Sequence, residues 1–316
     1  MTIHLGVVMD PIESINPKKD TTLAMLIAAQ KRDWELYIIE QQTIFIADNE
    51  VFAHRRQVRV SDNESEWFTD LGGDTVPLTD HDLVLFRKDP PFDMEYVYTT
   101  YLLEFAAEKG LTVVNNPGSI RDCNEKLFAL QFPNCCPPHV VSRDPNILRA
   151  FHDKHGDVIY KPLDGMGGAS IFRVQPGDKN LGVIIETLTD HGNHQTMAQQ
   201  YIPEIAAGDT RILLINGEPV PCGLARIPAE NENRGNLAAG GEGIGRELND
   251  RDRFICAEVG PTLVKKGLYF VGIDVIGDYL TEINVTCPTC VRELDRTFGL
   301  DIAGDYLSFL EKRFLT

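Results

Sequence analysis

The chain has 316 residues, 43% hydrophobic and 24% charged, with a formal net charge of −17 at pH 7. That length can bury two or three cores, and the composition is ordinary for a water-soluble globular protein. The acidity speaks against nucleic acid as a partner, which wants a basic footprint, and it makes any local Lys and Arg near a candidate anion site informative. No apolar run approaches the roughly 18–20 residues of a membrane span. Met1-Thr2-Ile3-His4 runs straight into a strand-like segment with no basic leader. Seven cysteines, an odd number at irregular spacing, point to a reduced, cytoplasmic protein without a disulfide scaffold.

From residue 5 to about 116 strand and helix patterns alternate. Residues 5–9 read as a buried strand. Asp20 reads as the N-cap of a helix over 21–31, with Leu23, Leu26 and Ile27 on one side. Strands follow over 36–39, 83–86 and 111–114, with a helix over 98–109 ended by Gly110. Such βαβ units build an open, largely parallel sheet, whose ligands sit beyond the carboxyl ends of the strands. Two loops there are chemically loaded: Met9-Asp10-Pro11, and Arg87-Lys88-Asp89-Pro90-Pro91-Phe92-Asp93. They read equally as turns set by Pro and as an anion site in which Arg87 and Lys88 face the substrate.

Asn115-Asn116-Pro117 marks a boundary. A helix is expected from about 119 through 128, closed by a Pro- and Cys-containing stretch at 133–138, where Cys135 and Cys136 read as buried or half-buried thiols. A second α/β unit opens with a helix over 145–155, Pro145 in its first turn and Gly156 at its end. Strands at 158–161 and 171–174 then flank Lys161-Pro-Leu-Asp-Gly-Met-Gly-Gly-Ala-Ser170. This is no Walker A loop, and Ser170 breaks the full G-x-G-x-x-G pattern. A Gly-rich hairpin tip that lays backbone N–H groups over phosphates fits better, with Lys161 reaching a phosphate. A plain hairpin loop with an exposed Lys is the open alternative.

The Gly-rich polar run over 228–246 is too long and too polar for a core element. Long irregular loops are usually lids or disordered, and Arg226 and Arg234 at its front half suit closure over phosphates. Residues 271–285 then read as two strands carrying Asp274, Glu282 and Asn284 among β-branched residues. Asp and Asn are poor strand formers, yet they supply the hard oxygens that Mg²⁺ prefers. A two-residue turn at Gly277-Asp278 would pair Ile273 with Glu282 and split the carboxylates between faces. A three-residue turn through Tyr279 pairs Asp274 with Glu282, Val275 with Thr281, Ile273 with Ile283 and Val271 with Val285. The expectation is the second register, although a solvated polar face would look similar. Opposed carboxylates repel unless a cation lies between them. Cys287-Pro-Thr-Cys290 lacks the further ligands of a zinc site and the context of a redox motif. The eight histidines form no H-E-x-x-H or triad pattern and read as surface residues.

Together, in this order, the Gly-rich loop, the late lid and the hairpin resemble the bacterial (prokaryotic-type) glutathione synthetases, ATP-grasp carboxylate–amine ligases. The resemblance runs nearly the whole length. It rests on Val8-Met9-Asp10-Pro11, the loop from Arg87 to Asp93, Arg121-Asp122-Cys123-Asn124-Glu125-Lys126-Leu127, residues 161–172, Arg234-Gly-Asn-Leu-Ala-Ala-Gly-Gly241 and Leu280-Thr-Glu-Ile-Asn-Val-Thr286. Alone, the Asp…Glu-x-Asn pattern marks only the wider ATP-grasp group. The resemblance implies an N-terminal parallel α/β (pre-ATP-grasp) domain at 1–120 and a two-lobed ATP-grasp fold. Its central lobe would span 121–201 and its C-terminal lobe 202–316, with the lid at about 228–246.

The implied reaction is ATP-dependent joining of γ-glutamylcysteine to glycine through an acyl-phosphate. Lys126, Lys161, Gly165, Met166, Gly167, Gly168, Asp209 and the interlobe strand Gln199-Gln200-Tyr201-Ile202 would bind ATP. Asp274, Glu282 and Asn284 would hold two Mg²⁺ (or Mn²⁺), with Glu282 bridging. Arg211, Arg226 and Arg234 would steady the transferring phosphoryl group, and Thr286 and Arg292 would join Arg87 on the peptide substrate. The implied partners are small molecules, with neither nucleic acid nor membrane, and the implied assembly is a cytoplasmic homotetramer. Cys287 departs from the pattern, since relatives tend to carry Ser there. Another ATP-grasp ligase (D-alanine-joining or glutamate-adding) and a non-catalytic ATP-binding protein are the competing readings.

Overall fold

The computed structural model describes residues 2–229, 235 and 240–315. The first sheet comprises β1 (His4–Met9), β2 (Glu35–Ala47), β3 (Glu50–Val60), β4 (Phe68–Pro77), β5 (Leu83–Phe86) and β6 (Thr112–Val114), in the order β4-β3-β2-β1-β5-β6. Strands β2, β1, β5 and β6 are mutually parallel. They are covered on both faces, which is why β1 and β5 read as unbroken apolar runs. Helices α1 (Thr21–Gln30) and α2 (Met94–Glu108) contribute to the two cores on opposite faces of this sheet. Asp20 caps α1 by accepting from the Leu23 N–H at 2.6 Å, and Asp93 caps α2 by accepting from the Tyr96 N–H at 2.9 Å. The second cap starts α2 four residues ahead of the predicted 98.

The antiparallel ribbon β2–β3–β4 extends well beyond the predicted 36–39 strand. Its first turn uses Asp48 and Asn49, both with positive φ (48° and 61°), which matches the right-handed twist of a hairpin. Neither is Gly, so the usual turn mark is missing. The expected single helix over 119–128 is two: α3 (Pro117–Asp122) and α4 (Glu125–Ala129). Asn124 interrupts them by accepting from the backbone N–H of Lys126 and Leu127, at 3.2 and 3.0 Å.

A four-stranded antiparallel sheet follows: β7 (His139–Ser142), β8 (Val158–Pro162), β9 (Phe172–Val174) and β10 (Thr196–Gln200), ordered β7-β10-β8-β9. With α5 (Pro145–His155) and α6 (Leu181–Leu188) it closes a core of its own around Leu148, Tyr160 and Ile185. The third sheet, also antiparallel, contains β11 (Asp209–Ile215), β12 (Glu218–Ile227), β13 (Glu242–Glu247), β14 (Phe270–Ile276) and β15 (Tyr279–Asn284), ordered β13-β12-β11-β14-β15. Helices α7 (Asp250–Lys265), α8 (Val291–Phe298) and α9 (Ile302–Leu310) complete the chain.

Strand β13 corrects the reading of 228–246 as wholly irregular. Its glycines serve close packing: a Cβ on Gly245 would stand 2.6 Å from Phe298 and Thr297. Residues 230–234 and 236–239, and with them Arg234, lie outside the described residues. A second correction concerns histidine: His81 and His152 are buried. His81 faces the Leu78 carbonyl through Nδ1 at 3.0 Å, and His152 lies 6.3 Å from the Tyr160 ring. Among the described residues no helix is long and apolar enough to cross a membrane.

The first and third sheets share their cores. Val8 and Phe86 belong to one buried cluster with Ile212, Ile273 and Ile283, while Leu5 and Leu85 belong to the other with Leu213, Phe270 and α9 residues.

Candidate active site

The hairpin opposes Asp274 to Glu282 and Ile273 to Ile283, with Gly272 opposite Asn284. It reaches that pairing by a different turn from the one expected. Gly277 (φ 55°) and Asp278 form a two-residue turn that pairs Ile276 with Tyr279 and Val275 with Leu280. A one-residue bulge at Thr281 then restores the register. Val275 therefore pairs with Leu280, not Thr281, and the Thr281 hydroxyl donates to the Asp274 carbonyl at 3.1 Å.

Cross-strand pairing carries the charge pattern outward through the sheet. Arg211 on β11 lies opposite Asp274, and Arg226 on β12 lies opposite Asp209. Arg211 donates through Nε to Asp274 Oδ1 at 2.5 Å and through Nη2 to Oδ2 at 3.0 Å. Arg226 Nη2 reaches Asp209 Oδ2 at 2.6 Å and Asp274 Oδ2 at 2.9 Å. Asn284 Nδ2 donates to Asp274 Oδ2 at 3.1 Å. All of Asp274, Arg211 and Arg226 are buried. Burial alone would raise the Asp274 pKa, but the two guanidiniums hold it well below the carboxylate range. Burial, helped by Asp274 and Glu282, pushes Asp209 up to about 7 against the pull of Arg226. Among the described residues Asp209 Oδ1 has no hydrogen-bond partner.

Lys126 and Lys161 face this acid-rich surface from the other side. Lys126, in the first turn of α4, donates through Nζ to the Gly165 carbonyl at 2.6 Å and lies 3.3 Å from Glu282 Oε1. Lys161 on β8 is buried, and that burial lowers its pKa while Glu282 opposes the shift. The Gly-rich segment joins two antiparallel strands, as read from the sequence, and Gly167 and Gly168 take φ of 61° and 79° that side chains rarely adopt.

These groups line a cleft between the second and third sheets. Lys126, Lys161, Gly165, Gly167, Gly168, Gln199, Tyr201, Ile202, Asp209, Asp274 and Glu282 all contribute to its wall. Gln200 does not, because side chains alternate along β10. Tyr201 is braced by the Arg173 guanidinium, 3.6 Å over its ring. A second cavity adjoins the first at Gly165, Gly167, Asp274 and Glu282. It is lined by Arg211, Arg226, Met166, Asn284, Thr286 and Cys287, with Asp10, Asp20 and Asp89 on its N-terminal wall.

Two residues named for the peptide substrate lie elsewhere. Arg87 is buried as a brace: Nη2 donates to the Pro288 carbonyl at 2.9 Å and Nε to Thr22 Oγ1 at 3.3 Å. Arg292 donates to Asp62 and to the Pro17 carbonyl, each at 2.6 Å, and opens onto a separate surface hollow. Both are spent on protein partners far off in sequence, which no local pattern reveals. Conversely, Glu125 escaped notice. Its Oε1 accepts from the Val285 and Thr286 N–H groups at 3.1 and 3.3 Å and from the Thr286 hydroxyl at 2.9 Å. It thus ties α4 to the hairpin exit; its place between the Asn124 cap and Lys126 was the available signal.

The donor chemistry fits a divalent cation: two carboxylates and an amide oxygen share one face, beside the buried Asp209 carboxylate. Among the described residues no three His, Cys, Asp or Glu side chains cluster closely enough to hold a metal alone, so Asn284 and bound substrate would have to complete the set.

Two solved structures share this architecture. D-cycloserine synthetase DcsG matches with a TM-score of 0.68 at 13% identity, covering 98% of this chain and 99% of that one. The ATP-grasp ligase PsnB, complexed with a minimal precursor, matches at 0.65 and 18% identity, covering 99% of each. The fold is that of an ATP-grasp enzyme. Within that class, the model for the prokaryotic glutathione synthetase N-terminal domain matches residues 3–121 and that for its ATP-grasp domain residues 125–307. Curated glutathione synthetases align nearly end to end: that of Pseudomonas aeruginosa is 59% identical over 94% of each chain, and that of Escherichia coli K12 is 54% identical over 98% of each. This chain belongs to the prokaryotic glutathione synthetase family.

Proposed function

We propose that the chain joins γ-glutamylcysteine to glycine, with ATP converted to ADP and phosphate, by way of an acyl-phosphate on the cysteinyl carboxylate. The observation that carries this reading is the Arg211–Asp274–Arg226 cluster at the seam of the two cavities. Phosphoryl transfer needs positioning and charge neutralisation more than side-chain acid–base work. A γ-phosphate entering from the first cavity would meet both guanidiniums and a carboxylate entering from the second. Lys126 and Lys161 suit the phosphates, the Gly-rich backbone covers them, and Gln199, Tyr201 and Ile202 suit the base.

Asp274, Glu282 and Asn284 would hold Mg²⁺ or Mn²⁺, two per site, and such ions supply charge neutralisation on the phosphate oxygens. The acidic wall of Asp10, Asp20 and Asp89 suits the free ammonium of the γ-glutamyl group. Arg226 on β12 and the Gly-rich loop with Gly165 and Gly167 reach the seam from separate elements, which supports exclusion of water from an acyl-phosphate. The domain limits 1–120, 121–201 and 202–316, a cytoplasmic setting and a homotetramer complete the reading.

ADP release measured with ATP, Mg²⁺, γ-glutamylcysteine and glycine, omitting each in turn, tests it. Release should require all four. Equal release without glycine or without the dipeptide would reject the ligation.

A further inference from the structure

Strand β15 is the last strand of the C-terminal sheet, so its outer backbone groups must be met from outside the sheet. At its start the Leu280 N–H donates to the Cys135 carbonyl at 2.8 Å. Just past its end, the N–H groups of Val285 and Thr286 and the Thr286 hydroxyl all donate to one oxygen, Glu125 Oε1. Three donors on a single oxygen suit an ionised carboxylate, which only accepts. The other side of the same backbone is gripped by Asn115, the residue that follows β6. Its Nδ2 donates to the Val285 carbonyl at 3.3 Å and to the Phe270 carbonyl at 2.8 Å. Its Oδ1 accepts from the Tyr269 and Phe270 N–H groups at 2.7 and 3.0 Å. Asn115 is buried and spends its whole amide on these four bonds. The peptide unit between Val285 and Thr286 is therefore held at both ends, by Asn115 at its carbonyl and by Glu125 at its N–H.

What this grip positions lies on either side of it. One residue back is Asn284, whose Nδ2 donates to Asp274 Oδ2 at 3.1 Å, leaving Oδ1 as the oxygen a cation would take. Beside Glu125 on α4 is Lys126, whose Nζ lies 3.3 Å from Glu282 Oε1 and donates to the Gly165 carbonyl at 2.6 Å. A helix of five residues thus meets the hairpin through two consecutive side chains, one on its exit and one on Glu282. Ligand oxygens must come within about 0.2 Å of the distances a cation prefers. A tilt of the peptide that follows Asn284 would carry Oδ1 off that distance. Side chains one bond removed from a metal ligand commonly govern affinity by about 10–100-fold. We propose that Glu125 is a positioning residue for the nucleotide and metal site, a role that rests on the reading of Asp274, Glu282 and Asn284 as metal ligands. Its carboxylate fixes the backbone of residues 284–286 against α4, and so sets the reach of the Asn284 oxygen and of Lys126 into the cleft.

Mn²⁺ binding to the full chain tests this role, with the free ion counted by its paramagnetic resonance signal in the presence of ADP. E125A removes the acceptor while Asn115 still keeps the Val285 carbonyl, so the variant should fold and melt somewhat lower. Its Mn²⁺ affinity should fall about 10–100-fold, its kcat should fall and its KM for ATP should rise. E125Q keeps an acceptor oxygen for the same three donors and should return Mn²⁺ affinity nearly to that of the parent. A brace that serves the fold alone would lower the melting temperature and leave Mn²⁺ affinity untouched, when titrated well below the melt. An E125A chain that holds Mn²⁺ as the parent does would therefore overturn the role. So would an E125Q chain as weak as E125A, because a loss that follows the charge marks a direct ligand. A parent that holds no Mn²⁺ would overturn the metal reading, and this role with it.

Discussion

The central sheet and the C-terminal sheet face the same cleft but are anchored differently. The C-terminal sheet shares buried clusters on both faces with the N-terminal sheet, so the two sheets form one packed body. The central sheet closes over seven fully or nearly buried side chains of its own. Few side-chain hydrogen bonds tie it to the rest: Lys126 to the Gly165 carbonyl and, at 3.1 Å, Asn124 to the Leu163 carbonyl. The difference teaches that order along the chain is not order in the molecule. The acidic face of the cleft stands on the larger body, and the Gly-rich loop with Lys161 stands on a lobe with a core of its own.

The sharpest break in this comparison is expected at the carboxylates. Glu282→Ala should reduce turnover about a thousandfold, roughly 4 kcal/mol of transition-state stabilisation, with little loss of stability because Glu282 is partly exposed. Asp274→Ala should lose as much activity and also destabilise the large body by about 3–5 kcal/mol, since the buried Arg211 guanidinium loses its partner and Arg226 keeps only Asp209. Steady-state kinetics alongside denaturant titration separates the two. Equal stability of both variants would contradict the buried cluster.

Next in size is a core deletion in the small lobe. Leu148→Ala should cost about 2–5 kcal/mol, felt as faster amide exchange across β7–β10 while β11 and β14 keep their protection. Faster exchange in both sheets alike would show the lobe is not a separate unit.

The large body should carry the pH response. Burial lowers the His81 pKa to about 4, and its Nδ1 faces the Leu78 carbonyl, so the neutral ring with hydrogen on Nδ1 is favoured. A base depressed from about 6.5 binds fewer protons folded than unfolded, so stability falls as pH drops from about 6.5 to about 4, by roughly 3 kcal/mol. His81→Gln should flatten that slope in urea titrations between those pH values. An unchanged slope would place the acid sensitivity elsewhere.

The smallest effect concerns the bond that holds α4 to the hairpin exit. Glu125→Ala should cost about 1–3 kcal/mol of stability through the lost acceptor, and Glu125→Gln, which keeps an acceptor oxygen, should recover most of it. Thermal melts of both variants suffice, and equal losses would mean the charge matters more than the hydrogen bonds to residues 285 and 286.

Much of this layout was legible in the residues. Opposed Asp274 and Glu282 followed from keeping apolar side chains on one face, yet the turn was misjudged because a bulge at a Thr carries no Gly to announce it. The β2–β3–β4 ribbon was largely missed, since β4 is exposed and polar along most of its length and its neighbour turns through Asp-Asn. Gly243 and Gly245 looked like loop residues because a glycine pressed against Leu224 or Phe298 is written like one in a turn. Arg87 and Arg292 have partners about 200 or more residues away, beyond the reach of any local pattern.

Three cations of the cleft are matched to internal anions: Arg211 and Arg226 to Asp274, Arg226 also to Asp209, and Lys126 to Glu282. The site is therefore an ion exchanger in equilibrium with itself. A polyanion that takes the guanidiniums and Lys126 releases carboxylates, and a divalent cation that takes the carboxylates releases guanidiniums. Either ligand alone leaves half of the lattice uncompensated in a buried setting. Nucleotide and divalent ion should therefore exchange in as a neutralised pair, each raising the affinity for the other by the same factor.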